Sequence, residues 1–311
     1  MPRSIHRVST RIRSIHDEHD VRRVELADED GWPLPPFTAG AHVYIHLPSG
    51  KVRQYSLCGD PADATRYLLA VKRDANSRGG SVEVHETLDI GQELLLSLPR
   101  NHFPLAETAG RFVLVAGGIG VTPFLSMLPE LRRRGADFVV HYSTINPEAT
   151  PMRDVLEPYA SRVRFHHDLT DTLIDLKELI AGLRDSDHLY VCGPAPMLAD
   201  AETLGAHLGE RLHIEHFGAD AAGGDPAYEV EIASTGQIVP VPEGHTMLEA
   251  LRAAGLEVPA SCEGGVCLDC KTRYLSGTPV HRELTMPKSE RSAYLTPCVS
   301  GCDGGRITLD L

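Results

Sequence analysis

The pattern of apolar and polar positions changes twice along the chain. Up to about residue 108, short segments alternate apolar and polar positions, among them HVYIHL (42–47), YLLAVKR (67–73) and ELLLSL (93–98). Turn-forming clusters such as PSG, GDPAD and NSRGG separate these segments. Alternation with a period of two is typical of half-buried strands, and a series of such strands divided by turns predicts an antiparallel β-barrel.

From Arg111 onward the strands lose that alternation. FVLVAGG and FVVHYS are continuous apolar runs, and the segment between them, TPFLSMLPELRRRGA, has helical periodicity. The succession of strand and helix continues through VRFHHD, DLKELIAGL, HLYVCGP, PMLADAETLGAHLG and LHIEHF. Strands without alternation that are interleaved with helices predict a parallel sheet with helices on its faces.

A third pattern follows the segment GADAAGGDPA (218–227), whose small residues lack periodicity and are typical of a linker. YEVEIA and QIVPVP predict a hairpin, HTMLEALRAAG a short helix, and RITLDL a closing strand. We therefore predict a multi-domain chain: an antiparallel β-barrel at 1–108, an α/β parallel-sheet lobe at 109–218, a linker at 219–227 and an α+β domain at 228–311.

Charge and composition narrow the function classes. A formal net charge of −13 argues against nucleic acid or an anionic membrane as a partner, because phosphates would be repelled. The most apolar run, Phe112 to Leu128, contains three glycines and is shorter than the roughly 20 residues that span a bilayer. The first residues lack the apolar core of a signal peptide, so we expect a cytoplasmic protein. In a reducing cytoplasm, an odd number of cysteines, here seven, favours metal ligation over disulfides.

Three of the cysteines lie within nine residues of one another. Cys262, Cys267 and Cys270 are spaced C-x4-C-x2-C, and 27 residues separate the third from Cys298. This is the plant-type spacing, in which four thiolates hold a [2Fe–2S] cluster. Cys302 is a second candidate for the fourth ligand, and we prefer Cys298 because the gap and the preceding Leu-Thr-Pro match the motif. The alternative is structural zinc, which usually draws on two separated C-x2-C pairs or nearby histidines.

Two glycine-containing turns follow strands of the predicted parallel sheet. GGIGVTP comes after FVLVA and opens a helix, with Thr122 expected as the N-cap and Pro123 as the first helical residue. Free N–H groups at such a helix start suit a pyrophosphate. CGPAPM follows HLYV in the same way, so both turns would face one crevice at the carboxyl ends of the strands. For the first turn taken by itself, a tight turn without a ligand is the alternative.

The predicted barrel carries a candidate phosphate site. RQYSL (53–57) places a cation, an aromatic ring and a hydroxyl on one strand, and SRGGS (77–81) adds an arginine, two glycines and two serines. Arginine together with backbone N–H groups and hydroxyls suits phosphate, and Tyr55 suits packing on a planar ring. Alternatively, these are ordinary strand and turn residues.

Taken in order, RQYSL, VKRDANSRGGS, GGIGVTP, CGPAPM and the four-cysteine spacing resemble the phthalate dioxygenase reductase family over nearly the whole chain. The resemblance implies a flavin-binding barrel, a nicotinamide lobe and a C-terminal β-grasp ferredoxin domain, with FMN, NADH and a [2Fe–2S] cluster as cofactors. The implied flavin contacts are Arg53, Tyr55, Ser56, Val71, Lys72, Arg73, Arg78, Gly79, Gly80 and Ser81, with Thr122 at the flavin–nicotinamide junction and Phe217 over the flavin face. The implied nicotinamide site consists of Gly117, Gly118, Gly120, Cys192, Gly193, Pro194 and Met197.

The resemblance also implies a function. The chain would be the reductase component that passes electrons from NADH through FMN and the cluster to a Rieske-type oxygenase or demethylase, and it would be a monomer. No catalytic side chain is expected, because the cofactors carry the chemistry. A general NADH-dependent reductase of flavins, ferric iron or quinones is the first alternative, and a zinc-bound interaction module without a redox role is the second.

Two departures from the family pattern have physical consequences. Leu268 and Asp269 stand between the second and third cysteines, where the family has Gly and a small residue, and they are expected to shift the cluster potential. After the second strand of the parallel sheet, YSTINPEATPMR contains no arginine before Arg153. A 2′-phosphate would lack a partner there, which favours NADH.

Overall fold

A computed structural model describes residues 7–74, 79–108, 110–170, 173–218 and 225–311. Two compact units make up the chain, Met1–Glu215 and His216–Leu311. No helix within the described ranges is long and apolar enough to cross a membrane.

The first unit begins with a six-stranded antiparallel sheet. Its strands are β1 (Arg7–Glu18), β2 (Val21–Ala27), β3 (His42–His46), β4 (Val52–Ser56), β5 (Tyr67–Lys72) and β6 (Glu93–Ser97), with helix α1 (Gly80–Thr87) before β6. They pair in the order β4-β3-β6-β1-β2-β5. Just past β4, the Cys58 N–H donates to the Leu68 carbonyl of β5 at 2.8 Å, so the two edge strands meet and the sheet closes into the predicted barrel.

The barrel core follows the period of two in the sequence. Val24 and Leu26 in β2 and Leu94 and Leu96 in β6 are all buried in the same core, whereas the residues between them are more exposed. Side chains two residues apart on a strand point to the same face, which explains why the alternating segments form this sheet.

The second half of this unit is a five-stranded parallel sheet. Its strands are β7 (Phe112–Gly117), β8 (Phe138–Thr144), β9 (Val163–His167), β10 (His188–Cys192) and β11 (Leu212–Glu215). Its helices are α2 (Thr122–Arg133), α3 (Arg153–Leu156), α4 (Leu176–Ala181) and α5 (Ala195–Gly205). The strand order is β11-β10-β7-β8-β9, so β8 and β9 lie on one side of β7 and β10 and β11 lie on the other. The ligand crevice is expected where the strand order switches sides, at the carboxyl ends of β7 and β10.

The parallel sheet is buried on both faces, and it shares a core with the barrel. Along β7, Leu114 packs in one apolar cluster and Val113 in the other. Phe103, which follows the barrel, lies 5.3 Å from the Tyr190 ring between centroids. The N–H of Gly40 donates to the Ser126 hydroxyl of α2 at 2.9 Å. These contacts explain why the barrel and the parallel lobe form one compact unit.

The second unit has a mixed five-stranded sheet. Its elements are β12 (Tyr228–Ile232), β13 (Ile238–Val241), α6 (Met247–Ala253), β14 (Thr272–Val280), β15 (Tyr294–Leu295) and β16 (Gly301–Leu309). The strand order is β13-β12-β16-β14-β15, and β12 pairs with β16 in parallel while the other pairs are antiparallel. A capping box between Thr246 and Glu249 starts α6. The predicted fold class, including the β-grasp arrangement, is confirmed; the domain boundaries remain predictions.

Candidate cofactor sites

Strand β4 brings the predicted barrel residues to the start of α1. Arg53, Tyr55 and Ser56 all lie on β4, and burial raises the pKa of the Tyr55 phenol. A Cβ on Gly80, the first residue of α1, would lie 2.6 Å from Cγ and Nε of Arg53. Only glycine at this position therefore leaves the arginine side chain its place against the helix start. Gly79, with φ of 78°, adopts the left-handed conformation that glycine favours.

One further cation lies at this helix start. Lys51 Nζ is 3.7 Å from the position of a Cβ on Gly79 and 3.4 Å from the Glu83 carboxylate. Lys51 was not predicted as a site residue, because it lies two residues before the RQYSL motif. Ser81 Oγ accepts from the Asp74 N–H at 3.1 Å, which fixes its side chain near the loop. Arg78 lies outside the described residues.

The other predicted flavin contacts lie at the end of β5. Val71 and Lys72 are its last two residues, and Arg73 follows with an N–H that donates to the Asp20 carbonyl at 2.6 Å. The Val71 carbonyl already lies 2.8 Å from His85 Nε2. This part of the backbone is thus held on both sides by protein contacts.

The two glycine turns of the parallel lobe pack backbone against backbone. A Cβ on Gly120 would lie 2.2 Å from the carbonyl oxygen of Cys192. One on Gly117 would lie 2.5 Å from Pro194 Cδ, and one on Gly193 would lie 3.1 Å from the Cα of Gly117. The turn after β7 and the turn after β10 can approach this closely only because these positions lack side chains.

The helix after the first turn begins differently from the prediction. The segment Gly118–Val121 is a 3-10 turn, entered through Gly118 with φ of 52°. Because this turn already has helical geometry, Thr122 is the first residue of α2 and not its N-cap, and the cap position is Val121. The Thr122 hydroxyl donates to the Ile119 carbonyl at 2.9 Å. Met197, on α5, has its Sδ 2.9 Å from the position of a Cβ on Gly193.

A buried carboxyl group lies beside this crevice. Glu215, the last residue of β11, pairs in register with Cys192, the last residue of β10. Glu215 is 6% exposed, and burial raises its pKa to about 8. Among the described residues, none hydrogen-bonds its Oε2. Glu215 was not predicted as a site residue, because LHIEHF was interpreted only as a strand. Phe217, two residues later, is 48% exposed.

The carboxyl ends of β8 and β9 carry polar groups. The Ser143 hydroxyl donates to Asp168 Oδ1 at 3.3 Å. Arg153, the first arginine after β8, stacks on Phe165 with its Cζ 5.1 Å from the ring centroid, and it donates to the Pro147 carbonyl at 3.2 Å. The guanidinium of Arg153 is therefore already engaged within the lobe.

In the second unit, the cysteine loop turns its backbone N–H groups toward the sulfurs. Cys262 Sγ accepts from the N–H groups of Gly264 at 3.3 Å and Cys267 at 3.4 Å. The hydrogen bond from the Cys267 thiol, together with these N–H groups, lowers the pKa of Cys262, and the same hydrogen bond raises the pKa of Cys267. Left-handed residues, among them Gly265 (φ 71°) and Leu268 (φ 60°), create this curvature. The thiolate form of Cys262, which binds metal, is thereby favoured.

The four predicted ligands lie as two close pairs. Cys270 Sγ and Cys298 Sγ are 3.3 Å apart, and Cys262 hydrogen-bonds with Cys267. Within the described ranges, no three His, Cys, Asp or Glu side chains surround a position for a single metal ion. Two thiolate pairs fit a cluster of two irons better than one tetrahedral zinc. Cys302 lies on β16, where its thiol donates to the Asp303 carbonyl at 3.6 Å.

Comparisons with known proteins agree with this geometry. Residues 230–302 match the 2Fe-2S iron-sulfur cluster binding domain family. The chain is 40% identical to the vanillate O-demethylase oxidoreductase of Pseudomonas sp. (strain HR199 / DSM 7063), covering 94% of this chain and 96% of the relative. It is 43% identical to the heme-dependent oxidative N-demethylase beta subunit of Ectopseudomonas mendocina (strain ymp), covering 89% and 90%. The solved phthalate dioxygenase reductase, a modular structure for electron transfer from pyridine nucleotides to [2Fe–2S], superposes with a TM-score of 0.88 at 37% identity over 98% of both chains.

Proposed function

We propose that this chain, which belongs to the phthalate dioxygenase reductase family, is the NADH-dependent reductase component of an oxygenase system. The observation that carries the proposal is the pairing of four buried or half-buried cysteine thiols in a chain that also brings two glycine turns together at a parallel-sheet switch point. A bound FMN would supply the chemistry for taking an electron pair from NADH, and a [2Fe–2S] cluster held by the four cysteines would supply single-electron transfer.

We assign the FMN site to the barrel, at the start of α1. Arg53 and Lys51 supply positive charge there, and Gly79, Gly80 and Ser81 supply backbone N–H groups and a hydroxyl. This donor set fits the terminal phosphate of FMN, because charge-assisted hydrogen bonds to phosphate are the strong ones. Tyr55 and Ser56, on the same strand, would then face the ribityl chain and the ring edge.

We assign the NADH site to the crevice between the two glycine turns. Gly117, Gly118 and Gly120 would bring backbone N–H groups close to the pyrophosphate, and Thr122 would lie at the junction with the flavin. The turn after β10, with Cys192, Gly193, Pro194 and Met197, would form the opposite wall. The engaged guanidinium of Arg153 and the carboxylate of Asp168 at the carboxyl ends of β8 and β9 support NADH over NADPH.

We assign the cluster to Cys262, Cys267, Cys270 and Cys298, with one thiolate pair for each iron. The backbone N–H groups around Cys262 stabilise negative charge on sulfur, which favours the ionised ligands that iron requires. Asp269 accepts a hydrogen bond from the Ser261 hydroxyl, so its carboxylate is held by the same loop. We propose Phe217 as the residue that covers the flavin face. The predicted domain boundaries, 1–108, 109–218, 219–227 and 228–311, are likewise part of the proposal.

We propose a Rieske-type oxygenase as the electron acceptor and a monomeric reductase. The chain's relatives include a vanillate O-demethylase oxidoreductase, two proteins named as phthalate dioxygenase reductases, and the beta subunit of a heme-dependent oxidative N-demethylase. An oxygenase that uses heme as its cofactor is therefore the second class of acceptor to test. The net charge of −13 suits a basic docking surface on either acceptor, with transfer rates that fall as salt rises.

An anaerobic titration of the purified protein with NADH tests the proposed function. The expected result is flavin and iron–sulfur absorption that bleaches as NADH is added, with an EPR signal from the reduced cluster and a much weaker response to NADPH. A protein that takes up no iron and no FMN on anaerobic reconstitution would refute the proposal. If NADH bleaches the absorption but the protein passes electrons to free flavin or ferric iron faster than to any Rieske-type or heme-dependent oxygenase, the protein would instead be a general reductase.

A further inference from the structure

The second unit contains a buried carboxylate outside the cysteine motif. Glu283 is 2% exposed, and three side chains surround its two oxygens. His281 Nδ1 lies 2.8 Å and Arg291 Nε lies 3.1 Å from Oε1, and the Ser300 hydroxyl donates to Oε2 at 3.0 Å. An isolated buried charge costs several kcal/mol, so these partners determine where the carboxylate and its segment can lie.

On one side, the Glu283 segment contacts the cysteine loop. A Cβ on Gly265 would lie 3.1 Å from the Cα of Glu283, so the two backbones touch. The Leu284 N–H donates to the Gly265 carbonyl at 3.0 Å, and the Thr285 hydroxyl donates to the Val266 carbonyl at 2.6 Å. Residues 283–285 therefore hold the middle of the loop that carries Cys262, Cys267 and Cys270.

On the other side, the same carboxylate holds the turn that carries Cys298. Ser300, its hydrogen-bond donor, also accepts from the Thr296 N–H at 3.1 Å. Backbone bonds from the Val299 and Ser300 N–H groups to the Thr296 carbonyl, at 3.0 and 2.9 Å, complete this turn. Cys298 lies between Thr296 and Ser300, so its position depends on the contact that ends at Glu283.

We propose that Glu283 is a positioning residue of the iron–sulfur site, because its carboxylate fixes the Cys262–Cys270 loop and the Cys298 turn relative to each other. This inference rests on the proposed function, since it takes the four cysteines to hold a [2Fe–2S] cluster. Val299 Cγ2 would lie only 2.6 Å from a Cβ on Gly265, which shows how closely the loop and the turn approach at this point. The protein thus has a connection between the loop that carries the first three ligands and the turn that carries the fourth, and this connection does not use the metal.

The charge of Glu283 has a second effect on the cluster. In Glu283→Gln, the guanidinium of Arg291 and the ring of His281 lose the carboxylate that faces them, at a position whose backbone touches the cysteine loop. Reduction adds negative charge to the cluster, and a more positive surrounding favours that state. The substitution is therefore expected to shift the midpoint potential to more positive values. A residue that only supported the fold would not produce such a shift.

The test compares three variants of the full-length reconstituted protein. Glu283→Gln removes the charge, Ser300→Ala removes the link to the Cys298 turn while the contacts with Arg291 and His281 stay, and Glu229→Gln is the control. Glu229 is a half-exposed glutamate on β12 whose carboxylate lies 2.6 Å from Arg306 of β16 in the same unit. The measurements are iron release to a chelator under anaerobic conditions, the EPR spectrum after dithionite reduction and the midpoint potential.

In Glu283→Gln we expect iron release to accelerate about 10- to 100-fold, by analogy with the loss of metal affinity when a group that supports a metal ligand is removed. We also expect altered EPR g values and a more positive potential. Ser300→Ala should accelerate iron release and alter the g values with less change in potential, and Glu229→Gln should match the wild type. Because Ser300→Ala keeps the ion pairs, it carries the test alone if Glu283→Gln fails to fold.

Two results overturn the inference by itself. The first is a wild type that holds its cluster while Glu283→Gln and Ser300→Ala release iron at the wild-type rate. The second is faster release with unchanged EPR and potential, accompanied by a lower melting temperature of the apoprotein, which would assign a merely structural role. A wild type that takes up no iron on reconstitution overturns the proposed function and this inference together.

Discussion

Replacing Gly120 by alanine tests whether the close approach of the two glycine turns forms the nucleotide crevice. A Cβ at this position would lie 2.2 Å from the carbonyl oxygen of Cys192, 2.5 Å from its carbonyl carbon and 2.8 Å from the backbone nitrogen of Gly193. All three atoms belong to backbone, so no side chain can rotate away. Gly120 is not among the residues with positive φ, and alanine therefore meets no conformational strain of its own.

The size of the effect follows from these distances. Ordinary contacts of a Cβ begin at 3.4 Å, so the turn after β7 and the turn after β10 must separate by about 1 Å to admit the methyl group. A displacement of about 1 Å at a site that positions reactants costs roughly 100-fold in rate. We therefore expect kcat/KM for NADH to fall about 100-fold in Gly120→Ala, which corresponds to about 2.7 kcal/mol.

The assay is anaerobic stopped-flow reduction of the bound flavin by NADH, with ferricyanide as the acceptor in steady state. Flavin content and the EPR signal after dithionite reduction should remain those of the wild type, since the barrel and the second unit are untouched. Gly182→Ala is the matched control, because its Cβ would lie 3.5 Å from the nearest atom, the Glu178 carbonyl oxygen, at a φ of −87°. Wild-type NADH kinetics in a folded Gly120→Ala protein would refute the assignment of the crevice.

Three further predictions use other residues. Cys298→Ala should abolish the cluster EPR signal and lower the iron content, whereas Cys302→Ala should keep both; the opposite outcome would make Cys302 the fourth ligand. Arg53→Ala should weaken FMN binding to the apoprotein about 10- to 100-fold and leave riboflavin binding unchanged, because riboflavin lacks the phosphate; equal losses in fluorescence titrations with both ligands would exclude a phosphate contact. Burial raises the pKa of Glu215 to about 8, so at pH values between the ordinary carboxyl pKa and about 8 the folded state keeps this proton and the unfolded state loses it. The free energy of unfolding should therefore fall as the pH rises through this window, by about 1.4 kcal/mol per unit of pKa difference. Denaturant unfolding of Glu215→Gln should lack this decline, and parallel pH profiles for the two proteins would contradict the burial argument.

The parts of the fold that the sequence predicted are those determined by local chemistry. Alternating positions such as Leu94 and Leu96 could be assigned to one face of a strand because the period of two is fixed by strand geometry. The cysteine spacing was informative for a similar reason, since only a tightly turned loop brings Cys262 and Cys267 within reach of each other. The start of α2 was predicted wrongly at Thr122, because a 3-10 turn in the preceding glycines extends the helical geometry by one turn.

The residues that sequence reasoning missed are determined by pairing over long distances in the chain. Glu215 reaches the crevice only through the register of β11 against β10, where it lies beside Cys192. Lys51 lies in the turn between β3 and β4, and the fold places this turn beside Gly79, which is 28 residues further along the chain. Glu283 has no motif, and its burial depends on Ser300 and Arg291 arriving from two other segments. None of these relations leaves a periodic or spacing signal in a single sequence.

Glycine has two different roles in the proposed sites, and the difference explains how much a glycine motif can indicate. Gly120 has an ordinary backbone conformation and is required only because the Cys192 carbonyl occupies the place of a side chain. Gly265 is required twice, by its φ of 71° and by the 2.6 Å approach of Val299 to the position of a Cβ. In both turns a glycine is needed because a neighbouring segment lies where a side chain would be. This steric requirement for glycine is the same in a pyrophosphate crevice and in a cluster loop. The ligand is therefore determined by the neighbouring donors, which are N–H groups at a helix start in one case and paired thiols in the other. A glycine-rich turn without such donors would have the same sequence signal and no cofactor.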